Sequence, residues 1–141
     1  MSDKLILASK SKVRKEILDK HNLTCVVKPS NVDEDVVKES LLKELVSPEI
    51  ISKNLAELKA NKVSLGNKDR MVLGADSVID LEGELISKPK SREEALIILK
   101  KLNGKKHYLI SSVCISKNGS MIWNYTDKAE LTCLLYTSDA A

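Results

Sequence analysis

Short apolar runs alternate with amphipathic stretches along this 141-residue chain, an alternation that predicts strands interleaved with helices. Residues 4–8 (KLILA) read as a buried strand. From Lys12 to Asn22, Val13, Ile17 and Leu18 share one face, while Lys12, Lys15, Glu16 and Asp19 lie off it, which is the pattern of a helix. Residues 24–28 (TCVVK) make a second strand, followed by the turn-like PSNVDED. Pro48 suits a helix's first turn, and Ile51, Leu55 and Leu58 step down one face to about Ser64. Residues 71–75 (MVLGA) form a third buried strand, and SVIDLEGELIS reads as a small hairpin around Glu82-Gly83.

Ser91 and Glu94 form a capping box for the helix SREEALIILKKLNG, which stops at Gly104. HYLISSVCIS and SMIWNYT flank Asn118-Gly119, the strongest hairpin signal in the chain. The order of elements indicates an α/β or α+β domain. With no repeat, low-complexity tract or linker, residues 1–130 read as a single domain. Residues 131–141 (LTCLLYTSDAA) lose the lysine-rich style of the rest. They are read as a non-native or disordered tail, foreign sequence joined to a truncated gene, with a frayed terminus as the alternative. The outer strand of the last hairpin then lacks a following partner.

Composition narrows the function classes. The chain is 43% hydrophobic and 30% charged, as expected of a soluble globular protein, and it has no Phe, so Ile, Leu and Val must build the core. A net charge of +3 suits anionic small molecules without indicating nucleic-acid or membrane binding. No apolar run approaches a membrane span, and the N-terminus lacks the features of a secretion signal. Cys25, Cys114 and Cys133 make no CxxC pair and suit a cytoplasmic location. His21 and His107 are too few and too scattered for a zinc site, so any metal would be a hard ion held by oxygen.

Three stretches carry candidate chemistry. In LILASKSKVRKEIL a strand gives way to a helix, so unpaired N–H groups and the helix dipole meet Ser9, Ser11 and Arg14. That combination makes an oxyanion cradle, most naturally for a polyphosphate; a plain N-cap on a solvated basic face is the alternative. In GADSVID, Asp76 follows a buried strand directly, where a carboxylate is unfavourable without a polar or cationic partner. At the strand's C-terminal end it would face the crevice of an α/β sheet and hold Mg²⁺ or polarise water; a turn-starting Asp is the alternative. Lys88-Pro89 is a stiff turn carrying a cation, or a solvated lysine. Asp33, Glu34 and Asp35 form an acidic knot that either completes a metal site or is ordinary loop.

Taken in order, SxSxxR, DE, Lys59-Ala60, GADS, KP and SREEA…L…LNG…H resemble the Maf family of nucleoside triphosphate pyrophosphatases over roughly residues 4–130. The resemblance implies hydrolysis between the α and β phosphates of a nucleoside triphosphate, with a divalent cation (Mg²⁺ or Mn²⁺). It also implies an elongated α/β fold, shared with inosine triphosphatases, with a central mixed sheet, flanking helices and a deep nucleotide cleft, often dimeric. By motif position Asp76 corresponds to the proton acceptor, and Ser9, Ser11 and Arg14 match the phosphate-binding loop. Glu34, Lys59 and Lys88 match the acidic and basic residues lining the cleft, with Glu34 and Asp76 on the metal side.

Three positions depart from the family's pattern. Val13 stands where the family commonly has an Arg linked to substrate choice, and Ser77 replaces the frequent Thr but keeps its hydroxyl. By motif position both count, with Ser9, Ser11, Arg14, Lys59 and Lys88, among the expected substrate-binding residues. The C-terminal segment with a base-selecting glutamine has no counterpart. The expected activity is house-cleaning of pyrimidine or modified nucleotides. The competing readings are an inosine or xanthosine triphosphate pyrophosphatase and a non-catalytic nucleotide-binding regulator of septum formation.

Overall fold

A computed structural model describes residues 4–132. Its elements run β1 (Leu5–Leu7), α1 (Lys12–Lys20), β2 (Cys25–Val27), α2 (Glu34–Lys43), α3 (Pro48–Leu65), β3 (Val72–Leu81), β4 (Glu84–Ile86), α4 (Arg92–Leu102), β5 (Lys106–Lys117) and β6 (Ser120–Thr132). The six strands form one mixed sheet in the order β2-β1-β3-β5-β6, with β4 beside β3. β1 pairs in parallel with β2 and with β3, so each step needs a crossover, which α1 supplies for the first. The remaining pairs are antiparallel.

Both predicted hairpins form, each on a two-residue turn with positive φ at both positions. These are Glu82 and Gly83 (51° and 91°) and Asn118 and Gly119 (53° and 85°), the geometry that matches the right-handed strand twist. The predicted cap of α4 also forms, Ser91 Oγ accepting the Glu94 N–H at 3.0 Å.

Four expectations are revised. The third strand does not stop at Ala75. β5 stays paired with β3 from Val72 to Asp80, so the ladder carries the chain straight through Asp76 and into the hairpin. Residues 34–43 are a helix, although their sequence reads as turn at Glu34 and Asp35 and shows no clear element beyond them. Asp33 caps it by accepting the Val36 N–H at 3.3 Å, and Glu34 and Asp35 sit in its first turn, where the dipole favours them. On α3 the buried face runs through Ile51, Ser52, Leu55, Ala56, Lys59, Ala60 and Val63, whereas Leu58 is exposed. The apolar face predicted for α1 is largely uncovered, Val13 being 63% and Ile17 51% exposed.

β6 reaches Thr132, so Leu131 and Thr132 pair with His107 and Lys106. The rest of the predicted tail, residues 133–141, lies outside the described residues. Among the described residues β6 has no partner on its outer side.

The core is aliphatic, as the absence of Phe requires. α3 packs on β3 and β5, burying Ile6, Ala8, Ala56, Ala60, Val63, Val72 and Cys114 together. A smaller cluster of Leu81, Ile86 and Leu102 seats α4 against the first hairpin. Cys25 and Cys114 are free and buried. Among the described residues no helix is long and apolar enough to cross a membrane.

Candidate functional site

α3 and β3 approach each other unusually closely at Gly74. A Cβ there would lie 2.3 Å from the Ala56 carbonyl oxygen, 2.8 Å from the Ala60 nitrogen and 3.0 Å from the Ala60 Cβ. The glycine, facing two alanines, lets the backbone of the helix rest on the strand. That contact fixes the height of every α3 side chain over the next strand residues.

Two of those side chains reach Asp76. Lys59, 7% exposed, lies two turns after Ser52, which is fully buried. The Lys59 ammonium donates to Asp76 Oδ1 and to the Ala75 carbonyl, each at 3.3 Å, and is ion-paired with Glu34 Oε1. An ammonium has three donors, and here all three are engaged. Ser52 Oγ contacts the Asp76 carbonyl at 3.2 Å and Ser112 Oγ at 2.8 Å, and Ser112 in turn meets Thr126 Oγ1 at 3.1 Å. A polar thread therefore ties α3, β3, β5 and β6 together behind the carboxylate.

Asp76 is 5% exposed, and its second oxygen, Oδ2, is buried without a hydrogen-bond partner. Burial holds the carboxyl above its ordinary value of 3.8. The Lys59 charge opposes the rise, Glu34 adds to it, and Lys38 opposes it again. Burial also pushes Glu34 upward, but the hydrogen bond and charge of Lys59, with Lys38 and Arg14, outweigh it and bring that carboxyl below 4.5. The two carboxylates are thus driven apart: Glu34 stays ionised while Asp76 becomes the easier to protonate.

The strand-to-helix turn after β1 lies within electrostatic reach of this cluster through Arg14 and Glu34. Ser9, 7% exposed, accepts the Ser11 N–H at 3.2 Å and the Arg14 guanidinium at 3.0 Å. Ser11 is the N-cap of α1 and accepts the Arg14 N–H at 3.2 Å. β1 ends at Leu7 and β3 pairs with it only through Leu73, so Asp76 projects beyond the end of β1. Asp76 therefore lies in mid-strand, past the last β3 residue paired with β1.

The predicted residues divide into two groups. Ser9, Ser11, Arg14, Glu34, Lys59 and Asp76 come together. Ser77 does not join them: strand alternation turns it to the opposite face, where its hydroxyl meets Ser111 Oγ at 3.0 Å. Val13 is exposed on α1, and Lys88 is exposed in the loop after β4. Two members were missed. Ser52 is legible as a polar residue in the apolar stripe of α3. Lys38, one turn after Glu34, was hidden because α2 itself was not recognised.

A family model described as Maf-like protein matches residues 4–139. The chain belongs to the Maf family. A Pelagibacter ubique relative named nucleoside triphosphate pyrophosphatase is 71% identical over 132 residues, which cover 94% of this chain and 68% of that protein. A Ruegeria pomeroyi protein of the same name is 40% identical over 131 residues, 93% of this chain and 66% of the relative. This Maf chain therefore spans about two thirds of the length of these relatives. Among solved structures, a HAM1 protein from Coxiella burnetii aligns with a TM-score of 0.56 at 13% identity, covering 90% of this chain and 71% of the other. A Mycobacterium abscessus structure described as nucleoside-triphosphatase / dITP/XTP pyrophosphatase gives the same score, 0.56, at 10% identity, with the same coverage of 90% and 71%. At such identities the likeness concerns the fold: a central mixed sheet with flanking helices.

Proposed function

We propose that this Maf chain hydrolyses a nucleoside triphosphate to the monophosphate and pyrophosphate. The observation that carries the reading is Asp76: buried, fixed through one oxygen by Lys59, and left with an unpartnered second oxygen, in a cluster whose Glu34 feels the charge of Arg14 from the Ser9–Ser11–Arg14 turn. The naming of its relatives supports the same activity.

Each residue has a chemical task in that reading. The turn after β1, with its N–H groups, two hydroxyls and a guanidinium, suits phosphate oxygens. Asp76 Oδ2 accepts a proton from water as the water oxygen bonds to the α-phosphorus. The bond from that phosphorus to the bridging oxygen breaks, and pyrophosphate leaves with the electron pair. The proton passes from Asp76 to solvent. A carboxyl raised by burial is a better base than an ordinary one, provided it is ionised at the working pH. Lys59 holds the side chain in one orientation, and Ser52 holds the backbone behind it.

The donor set also fits a divalent cation. Among the described residues no group of three or more His, Cys, Asp or Glu forms a closed metal site. Two carboxylates, one with an unpartnered buried oxygen, instead match the way Mg²⁺ is commonly held, by one or two carboxylates together with substrate phosphates and water. Asp76 and Glu34 would hold the ion, which would neutralise charge on the phosphate oxygens.

We place the substrate among pyrimidine or modified nucleotides, with Val13 leaving base choice less restricted than an Arg would. The test is pyrophosphate release across a panel of canonical and modified triphosphates, with and without Mg²⁺ or Mn²⁺. Release confined to inosine or xanthosine triphosphate would favour the purine reading. Nucleotide binding without release would favour a non-catalytic regulator.

A further inference from the structure

Among the described residues, Lys38 is the charged group near the site whose local pairs do not account for its position. The other lysines paired one turn along their own helices, Lys15, Lys43 and Lys53, keep 42%, 76% and 44% of their side chains exposed. Lys38 keeps 13%. In return it gains a contact with Glu34 Oε2 at 4.0 Å and a hydrogen bond to Ser87 Oγ at 3.4 Å, both at the far limit of such interactions. Glu34 is meanwhile drawn to Lys59 through its other oxygen. Partly removing an ammonium from water for two long contacts is unfavourable unless a further anion completes its shell.

The surroundings indicate where that anion lies. Lys38 lines an open cavity of about 440 Å³ between α2 and β4, together with Asp35, Glu39, Leu42, Lys43, Leu85 and Ser87. The other charged groups there are matched: Asp35 with Lys90 at 2.9 Å, and Glu39 with Lys43 at 3.5 Å. Lys38 also acts electrostatically on both Glu34 and Asp76. Its ammonium is thus within reach of the carboxylate pair and lines an open volume.

We infer that Lys38 binds the β and γ phosphates and holds the departing pyrophosphate. This rests on the hydrolytic reading above and extends it. The α-phosphorus must sit at Asp76, where the water is deprotonated. Lys38, one helical turn beyond Glu34 towards the cavity, meets the next phosphates along the chain. Negative charge passes to the leaving pyrophosphate as the α–β bridge breaks, and a fixed cation there stabilises it more in the transition state than before. Ser87, which braces Lys38, also joins α2 to the loop carrying Lys88, giving that loop a route to the same phosphates.

The test is titration calorimetry of inorganic pyrophosphate, and separately of a nucleoside monophosphate, on the full chain and on Lys38→Gln and Lys38→Arg. Lys38→Gln is expected to weaken pyrophosphate binding roughly 10-fold or more, the loss of one charge-assisted contact, with monophosphate binding and melting unchanged. Lys38→Arg should recover most of the loss, and kcat should fall more than KM rises in the Gln variant. Unchanged pyrophosphate affinity in Lys38→Gln would overturn the assignment, as would equal weakening of both ligands or a wild-type chain that does not bind pyrophosphate. Because the readout is binding, a chain that binds pyrophosphate through Lys38 yet releases none from triphosphates would refute the hydrolytic reading alone.

Discussion

Replacing Gly74 with alanine inserts a methyl group into the backbone of α3. The new carbon would lie 2.3 Å from the Ala56 carbonyl oxygen, against an ordinary contact of 3.4 Å or more, so helix and strand must separate by about 1 Å. The two nearest obstructing atoms are main-chain atoms of α3 and the third is the Ala60 Cβ, so no side-chain rotation can relieve them. Overpacking of this kind costs about 1–3 kcal/mol, and the lack of any flexible neighbour puts this site at the upper end. For a domain of this size about 3 kcal/mol lowers the melting midpoint by on the order of 10 °C. The same displacement stretches the 3.3 Å contact between Lys59 and Asp76 beyond hydrogen-bonding range. Pyrophosphate release should therefore fall even at temperatures where the variant remains folded. Ala60→Gly, which removes one of the obstructing atoms, should not rescue it, because the Ala56 carbonyl is untouched. Calorimetric melting and turnover of Gly74→Ala, alone and with Ala60→Gly, check this. A variant with wild-type midpoint and rate would refute the argument that this contact sets the site.

The remaining predictions concern the charges. Asp76→Asn should lose at least ~10²-fold in rate, as expected for a lost acid–base group. Because the Asp76 pKa is raised in the fold, its contribution to stability is present below 3.8 and lost as pH rises through the raised value. The Asn variant should therefore melt no lower than wild type at neutral pH. Wild-type activity should also show an acid limb above 3.8 that this carboxyl sets, measurable in a pH–rate profile. Lys59→Met should destabilise by on the order of 3 kcal/mol, less in acid, and an NMR titration should find the Asp76 midpoint shifted upward. Arg14→Ala should weaken triphosphate binding roughly 10-fold or more in calorimetry, since a charged hydrogen bond contributes about 1.5–3 kcal/mol.

Local rules made much of the architecture legible. The capping serine at Ser91, the Asn118-Gly119 turn and the apolar run at 4–8 each specify their structure within a few residues and formed as read, while the run at 71–75 opens a strand that continues to Leu81. What failed depends on distant partners. Asp76 looked like a strand terminus because a carboxylate interrupts the apolar run, but β5, some thirty-five residues later, keeps the ladder going through it. α2 was missed although Asp33 and two acidic residues announce a helix start, because its apolar positions bury nothing and so follow no clear stripe. The reading of Ser77 as a site residue ignored strand period: once Asp76 lies within a strand, its neighbour must face the other way. Lys59 entered through family resemblance, yet a lysine in line with Ile51, Leu55 and Val63 is itself a sign of a buried charge with a partner.

The two walls of the site differ in how firmly they are held. Asp76, Lys59 and Ser52 belong to the close-packed unit of β3 and α3, whereas Glu34 and Lys38 ride on α2, a helix without one buried residue. Local opening is easiest where little apolar surface is sealed, so α2 is expected to be the looser jaw of the site and β3 with α3 the firm anvil. Reaction geometry is then stored in the anvil, and the ion pair of Lys59 with Glu34 is the latch between them. Amides of α2 would exchange with deuterated solvent well before those of α3, and a bound polyphosphate, gripping both sides, would slow them.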